Sequence, residues 1–299
     1  MGFLSNSKLD ERPEWEPSVR GCKKVAKKFF FKVRIDDINL QDTLSHCENF
    51  IRSRVPHQIV IVNVAKLVKA RQDLNLRRII NDADLVGADG MPLVWLSKYM
   101  MQPIAGRVNS TDLMIELVRM AAEKGHSIYF LGAKPDVVRK VVDVFTDKYP
   151  NLNVAGFRDG YFKPDEEDQV ADEIRESGAD IIFLAFGSPK KEKFVGNYLY
   201  RMGVPVVHGV GGSFDVVAGV TKRAPVWMQN WGLEWFYRFL QEPGRMWKRY
   251  LITNLNFLFL VGIGIFDSVP IHLRHSTETP RKVRQIGRFL QSRRISRME

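Results

Sequence analysis

The stretch from Asn81 to Met91, NDADLVGADGM, decides how the rest of the chain is read. Ala83 to Gly87 is short and mostly apolar, and reads as a buried strand. The run stops at Ala88, Asp89 and Gly90, where an acid and a glycine follow it directly. In a parallel α/β sheet, ligands bind beyond the carboxyl ends of the strands, because the loops there present side chains to a crevice. A carboxylate so placed is a candidate general base. The alternative is an Asp-Gly turn without function, a common local structure. Asp82 and Asp84 have the spacing of an acid pair that could hold a divalent metal. They precede the strand, whereas the crevice lies after it, so a solvated lead-in is the better reading and no metal ligands are assigned.

Outward from this stretch the pattern repeats. Upstream, His57 to Val62 is a β-branched run ended by Asn63, and Ala65 to Arg78 reads as one helix. Downstream, Leu113 to Lys124 is a helix with Ser110 or Thr111 as its cap. Ser127 to Leu131 is a strand closed by Gly132, Asp136 to Tyr149 a helix, and Val154 to Phe157 a short extended piece followed by Gly160 and Tyr161. Asp180 to Phe186 is a strand closed by a loop that contains Gly187 and Lys191. Val204 to His208 is another, closed by Gly209-Val210-Gly211-Gly212-Ser213-Phe214-Asp215. Strand and helix alternate at intervals of roughly 25 residues, which predicts a parallel sheet with helices on both faces.

The glycine run at 209–212 suggests backbone amides that cradle phosphate at a helix start. It is not the dinucleotide fingerprint, because Phe214 stands where that motif needs its third glycine. A plain glycine-rich turn is the alternative. Asp215 could accept hydrogen bonds from a ribose or a base, or cap its own helix.

The 299 residues carry a net charge of +11, which points to an anionic partner: nucleic acid, a phosphorylated substrate or a membrane surface. Two cysteines, Cys22 and Cys47, give neither metal spacing nor a disulfide framework, and a reducing compartment is the simplest inference. The N-terminal stretch lacks the apolar core of a secretion signal. Residues 1–33 are expected to form a flexible basic arm, although Lys23 to Lys32 could equally hold the first strand. Residues 34–222 form the α/β domain and residues 223–299 a helical appendage. There Trp227, Trp231, Trp235, Phe236, Tyr237, Phe239 and Trp247 alternate with Arg238, Arg245, Lys248 and Arg249. Core packing, a nucleic-acid stacking surface and a membrane-interface belt are the three readings of such a block. The apolar run Leu251 to Phe266 is broken by polar residues and shorter than the roughly 20 residues a spanning helix needs. With the basic stretch 281–299 behind it, a helix lying in an anionic membrane surface fits best.

The motifs ADLVGADGMP, GRVNSTDL, FLGAKP, GYF, FGSPKKE, GVGGSFDVVAG and KRAPVWMQNWGLEWFYRFLQEPGRMWKRY occur in this order between about Arg34 and Tyr250. In that order the chain resembles the WecG/TagA/CpsF family of glycosyltransferases. The resemblance implies a Rossmann-like domain with a membrane-docking C-terminal appendage. It implies sugar transfer from a nucleotide diphosphate, here expected to be a UDP-sugar, to a polyprenyl-diphosphate-linked acceptor, with inversion and without a metal or other cofactor. The family's catalytic aspartate falls on Asp89 and the arginine of its R-V-x-x-x-D-L segment on Arg107. Gly160 and Tyr161 match the nucleotide-contacting loop, Asp215 the nucleoside-binding acid, and Asn63 the asparagine of T-x-N. Two positions depart from the family pattern: Ile61 replaces the threonine of T-x-N, and Lys191 the glutamine of G-x-P-K-Q-E.

Asp89 is then the expected base. The expected substrate-binding set adds Gly132, Gly187, Lys191, Gly211 and Gly212 in the main domain and Arg238, Arg245 and Arg249 in the appendage, whose cations would meet the leaving diphosphate. The expected location is the cytoplasmic face of the membrane. A soluble acceptor is the alternative. A nucleic-acid partner has only net charge in its favour, and is not expected. Donor sugar, acceptor saccharide and self-association stay open.

Overall fold

The computed structural model describes residues 25–241, 243–244 and 253–262. Two short strands, β1 (Lys27–Phe30) and β2 (Val33–Asp36), form an antiparallel hairpin. Six more form one sheet: β3 (His57–Val62), β4 (Leu85–Ala88), β5 (Ser127–Gly132), β6 (Asn153–Arg158), β7 (Ile181–Ala185) and β8 (Val206–Gly209). Their order is β4-β3-β8-β7-β5-β6, and every neighbouring pair is parallel. The helices are α1 (Leu40–Ser53), α2 (Val64–Gln72), α3 (Leu74–Asp82), α4 (Met91–Tyr99), α5 (Ser110–Lys124), α6 (Pro135–Lys148), α7 (Glu167–Glu176), α8 (Lys190–Met202), α9 (Ser213–Val217), α10 (Val226–Asn230) and α11 (Glu234–Gln241).

Successive side chains of a strand point to opposite faces, so each central strand feeds two cores. Ile128, Phe130, Ile181, Phe183 and Val206 pack with residues of α1, α5 and α6. Tyr129, Leu131, Ile182, Leu184 and Val207 pack with residues of α7 and α8. That is the expected doubly covered parallel sheet.

The hairpin closes the β4 edge. Arg34 pairs with Asp36 through two 2.7 Å bonds, and its guanidinium donates to the carbonyls of Ala83 (2.6 Å) and Asp84 (3.0 Å). Asp36 in turn accepts the Val86 N–H at 2.8 Å. Edge groups that would otherwise face solvent are thereby satisfied, and the strand that carries Asp89 is clamped. Residues 27–33 therefore belong to the folded domain, which corrects the arm drawn through residue 33; residues 1–24 lie outside the described residues.

Two local expectations change. The helix expected over 65–78 is two helices, because Asp73 leaves the helical region and its carboxylate caps α3 by accepting the Leu76 N–H at 3.0 Å. The cap of α5 is Asn109, whose Oδ1 accepts the N–H groups of Thr111 and Asp112, and not Ser110 or Thr111. The chain divides into two compact units, Met1–Phe257 and Leu258–Glu299, so α10 and α11 share a unit with the sheet. Residues 253–262 are helical, and no described helix is long and apolar enough to cross a membrane.

Candidate active site

Parallel strands bring their carboxyl ends to one side. Asp89 follows β4, Asn63 follows β3, Gly211, Gly212 and Asp215 follow β8, and Gly187 and Lys191 follow β7. Gly132 ends β5, and Gly160 and Tyr161 follow β6. Five inter-strand steps of about 4.8 Å make this row roughly 24 Å wide. No single sugar ring spans that, and the row divides into three groups.

The first group surrounds Asp89. Its N–H donates to the Val62 carbonyl at 2.7 Å, and its carboxylate accepts from Asn109 Nδ2 at 3.0 Å. Asn109 Oδ1 is held by the α5 amides, which leaves the amide nitrogen aimed at Asp89. The Val108 N–H donates to Ala88 at 2.7 Å, so Arg107 lies beside the end of β4. Arg107 Nη1 donates to the Gln229 carbonyl at 3.3 Å, and Nη2 is 3.9 Å from Asp112. Arg223 also grips Asp112, at 2.6 and 2.8 Å. α11 completes the group. At Gly232 a Cβ would stand 3.2 Å from Met91 and 3.3 Å from Pro92, so the start of α11 packs on the residues just after Asp89. Glu234 then faces the site and pairs with Arg238 at 3.7 Å. Arg238 reaches the glycine loop, 3.7 Å from where a Gly212 Cβ would be.

Burial and then the Glu234 charge push the Asp89 carboxyl up to about 6, against the pull of Arg107, Asn109 and Arg238. Near neutral pH it is ionised yet close to its midpoint, the condition that suits a general base. Asp82 and Asp84 lie at the opposite end of β4, where Asp84 accepts the Gln58 N–H at 2.8 Å.

The second group is drier. Lys191 is not in a loop: it is buried in the first turn of α8. A Cβ at Gly209 would stand 3.0 Å from Lys191 Cε, and one at Gly211 3.4 Å from Nζ, so the missing side chains make the room this lysine occupies. Its Nζ is 3.9 Å from Glu192, which also meets Lys66 Nζ at 3.0 Å. Lys66 donates to the Ile61 carbonyl at 2.7 Å. Burial raises the Glu192 carboxyl, but Lys66 and Lys191 outweigh it and hold the group below the ordinary range. Two cations and one anion leave net positive charge beneath the glycine turn. His208 beside them is pushed down to about 3, first by burial, and stays neutral. Asn63 Oδ1 caps α2 by accepting the Lys66 N–H at 2.9 Å. Ile61, where the family pattern has threonine, is a core residue against Gly87.

The third group is a clasp. Gly132 has φ +126°, and a Cβ there would stand 2.7 Å from the Ala185 backbone, so only glycine lets β5 and β7 approach so closely. Ala133 donates to the Ala185 carbonyl and Gly160 to the Ala133 carbonyl, both at 3.0 Å. The crossovers β5 to β6 and β7 to β8 leave in opposite directions, which makes this the topological switch point. Tyr161 stands exposed at its rim. Gly187 has open space around it, and its carbonyl accepts the Lys191 N–H at 3.2 Å. Asp215 lies in the first turn of α9, with Oδ2 3.8 Å from the Gly212 Cβ position. Arg245 and Arg249 lie outside the described residues.

Sequence reasoning missed Asn109, Asp112, Arg223, Glu234 and Lys66. One signal was available for Glu234: it is the only acid between Lys222 and Leu240.

The Glycosyl transferase WecG/TagA/CpsF family model matches residues 29–267. An N-acetylglucosaminyldiphosphoundecaprenol N-acetyl-beta-D-mannosaminyltransferase of Bacillus subtilis (strain 168) is 35% identical over 214 residues, 71% of this chain and 82% of the relative. The protein of the same name from Bacillus spizizenii is 34% identical over 216 residues, 72% of this chain and 83% of the relative. An edge-strand aspartate facing a cationic cluster thus sits in a chain that belongs to the WecG/TagA/CpsF family of glycosyltransferases.

Proposed function

We propose that the chain moves a sugar from a UDP-sugar onto a saccharide carried by polyprenyl diphosphate, in one inverting displacement that needs no metal. The observation that carries this reading is Asp89: a partly buried carboxylate at a strand end, oriented by Asn109 and raised to about 6. The relatives' acceptor, an N-acetylglucosaminyl diphosphoundecaprenol, supports the lipid-linked acceptor, and their N-acetylmannosaminyl group is the first donor sugar to try. Asp89 takes the proton of the acceptor hydroxyl as that oxygen attacks the anomeric carbon. The UDP leaves from the opposite face with the bond's electron pair. Its charge is met by the amides of the 209–212 turn and by Lys191, Arg107 and Arg238, pre-placed cations of the kind that stabilise a leaving anion. Gly132, Gly160, Tyr161, Gly187 and Asp215 line the nucleotide end at the switch point, and Asn63 shapes the floor between the two ends.

In this reading residues 27–222, hairpin included, are the transfer domain. Residues 223–299 are an appendage that supplies Arg238, Arg245 and Arg249 and holds the enzyme at the cytoplasmic face of the membrane. The test is transfer to a short-chain lipid diphosphate N-acetylglucosamine from a panel of UDP-sugars in excess EDTA. Formation of a disaccharide lipid of inverted anomeric configuration is expected. Loss of activity in EDTA with rescue by Mn²⁺ would overturn metal independence, and no transfer from any UDP-sugar would overturn the donor class.

A further inference from the structure

α4 starts two residues after Asp89 and leaves its apolar edge uncovered. Trp95 is 49% exposed, Tyr99 52% and Met101 87%. Trp95 and Tyr99 are four residues apart, one turn along the same face. Trp227 (60% exposed) and Trp231 (71%) repeat this spacing on α10 and just after it, with Val226 exposed beside them. The two ridges meet where a Cβ on Gly232 would stand 3.4 Å from the Trp95 ring. Six large side chains thus make one uncovered face shared by the sheet domain and the segment after it. Contiguous exposed apolar surface of this kind marks an interaction site.

The composition of the face selects the partner. Residues 91–107 and 222–233 hold no aspartate or glutamate, while Lys98 and Lys222 are exposed on them. Tryptophan and tyrosine with an apolar body and a polar edge, beside lysines and without acids, match the headgroup zone of an anionic bilayer. We infer that the α4–α10 face is a lipid-docking surface that sets the Asp89 crevice directly on the membrane. α4 has nine residues and so is about 13 Å long, which keeps the base within one helix length of the bilayer. The expected docking element, the run after residue 250, is then not alone: the sheet domain carries part of the contact itself.

For its purpose the inference rests on the lipid-linked acceptor proposed above, but its test needs no substrate. The full-length chain is sedimented with phosphatidylcholine vesicles with and without phosphatidylglycerol. The double variant Trp95→Ser/Tyr99→Ser is expected to bind the anionic vesicles about tenfold more weakly, with Trp227→Ser/Trp231→Ser similarly weakened. Both pairs are exposed, so unchanged thermal unfolding is expected and checks the fold. Trp95→Phe is expected to keep binding while losing part of the fluorescence quenching by brominated lipid, a readout that fold loss does not imitate. Wild-type vesicle binding by the α4 pair would overturn the inference. So would an altered sedimentation of the protein alone with vesicle binding unchanged, which would assign the face to a second copy of the chain. Vesicle binding without sugar transfer would count against the proposed function and leave the inference standing.

Discussion

The two ends of the crevice are built on opposite principles. Around Asp89 the charges come from four separated segments: the β4 end, the 107–112 segment, Arg223 and α11. The acid is partly exposed and held near its midpoint. Around Lys191 the charges are buried, come from two helices, α2 and α8, that meet at Glu192, and pack against glycines. The first end can exchange a proton with a substrate, while the second offers a buried excess of positive charge. A transferase that must deprotonate one substrate and stabilise an anion leaving the other needs both.

The strongest way to break this division is Asp89→Asn. Loss of a general base costs about 10²–10⁴ in rate, so kcat should fall by that much while the dissociation constant of the UDP-sugar barely changes. The same change should raise the melting temperature. A carboxyl raised in the folded state binds its proton more tightly than in the unfolded chain. Its ionised form therefore destabilises the fold as pH rises through about 4 to about 6, and removing it returns on the order of 1–2 kcal/mol at pH 7. An unchanged or lower melting temperature would mean that the Asn109 bond outweighs burial.

Gly132→Ala strikes the clasp at the switch point, beside the Lys191 end, through the backbone. A side chain at positive φ pressed on Ala185 should cost about 1–3 kcal/mol, read as a lower midpoint in urea. Lys191→Gln sharpens the comparison, since it removes charge while keeping shape. The donor KM should rise by roughly three- to tenfold, more at low salt, and kcat should fall as well, because the charge that develops on the leaving diphosphate loses a cation. An unchanged KM would mean that Glu192 cancels the charge. Smallest is Glu234→Gln, which removes an acid that raises Asp89. The acid limb of kcat/KM should then move down by about half a pH unit. No movement would limit Glu234 to holding Arg238.

The sheet was legible because each strand is an apolar run and each run ends at a glycine, asparagine or acid. His57–Val62 and Ile181–Ala185 show this directly, and Asp89 was found the same way. What stayed hidden depends on tertiary approach. Asp73 splits a helix by capping the next, a contest between side chain and backbone that periodicity does not display. Arg34 and Asp36 satisfy an edge strand about 50 residues away. Glu234 meets Asp89 only because Gly232 lets α11 settle on Met91. The lysine at 191 reads as a loop residue in FGSPKKE, and only the packing shows it buried under the 209–211 turn.

The central claim is that Asp89, tuned by its surroundings, is the base of the transfer. The pH dependence of kcat/KM for sugar transfer tests it most directly. The account predicts a single acid limb with its midpoint near pH 6, and a residual Asp89→Asn activity that no longer shows it. A limb near pH 4, the value of an ordinary aspartate, or the same limb near pH 6 in Asp89→Asn, would contradict it.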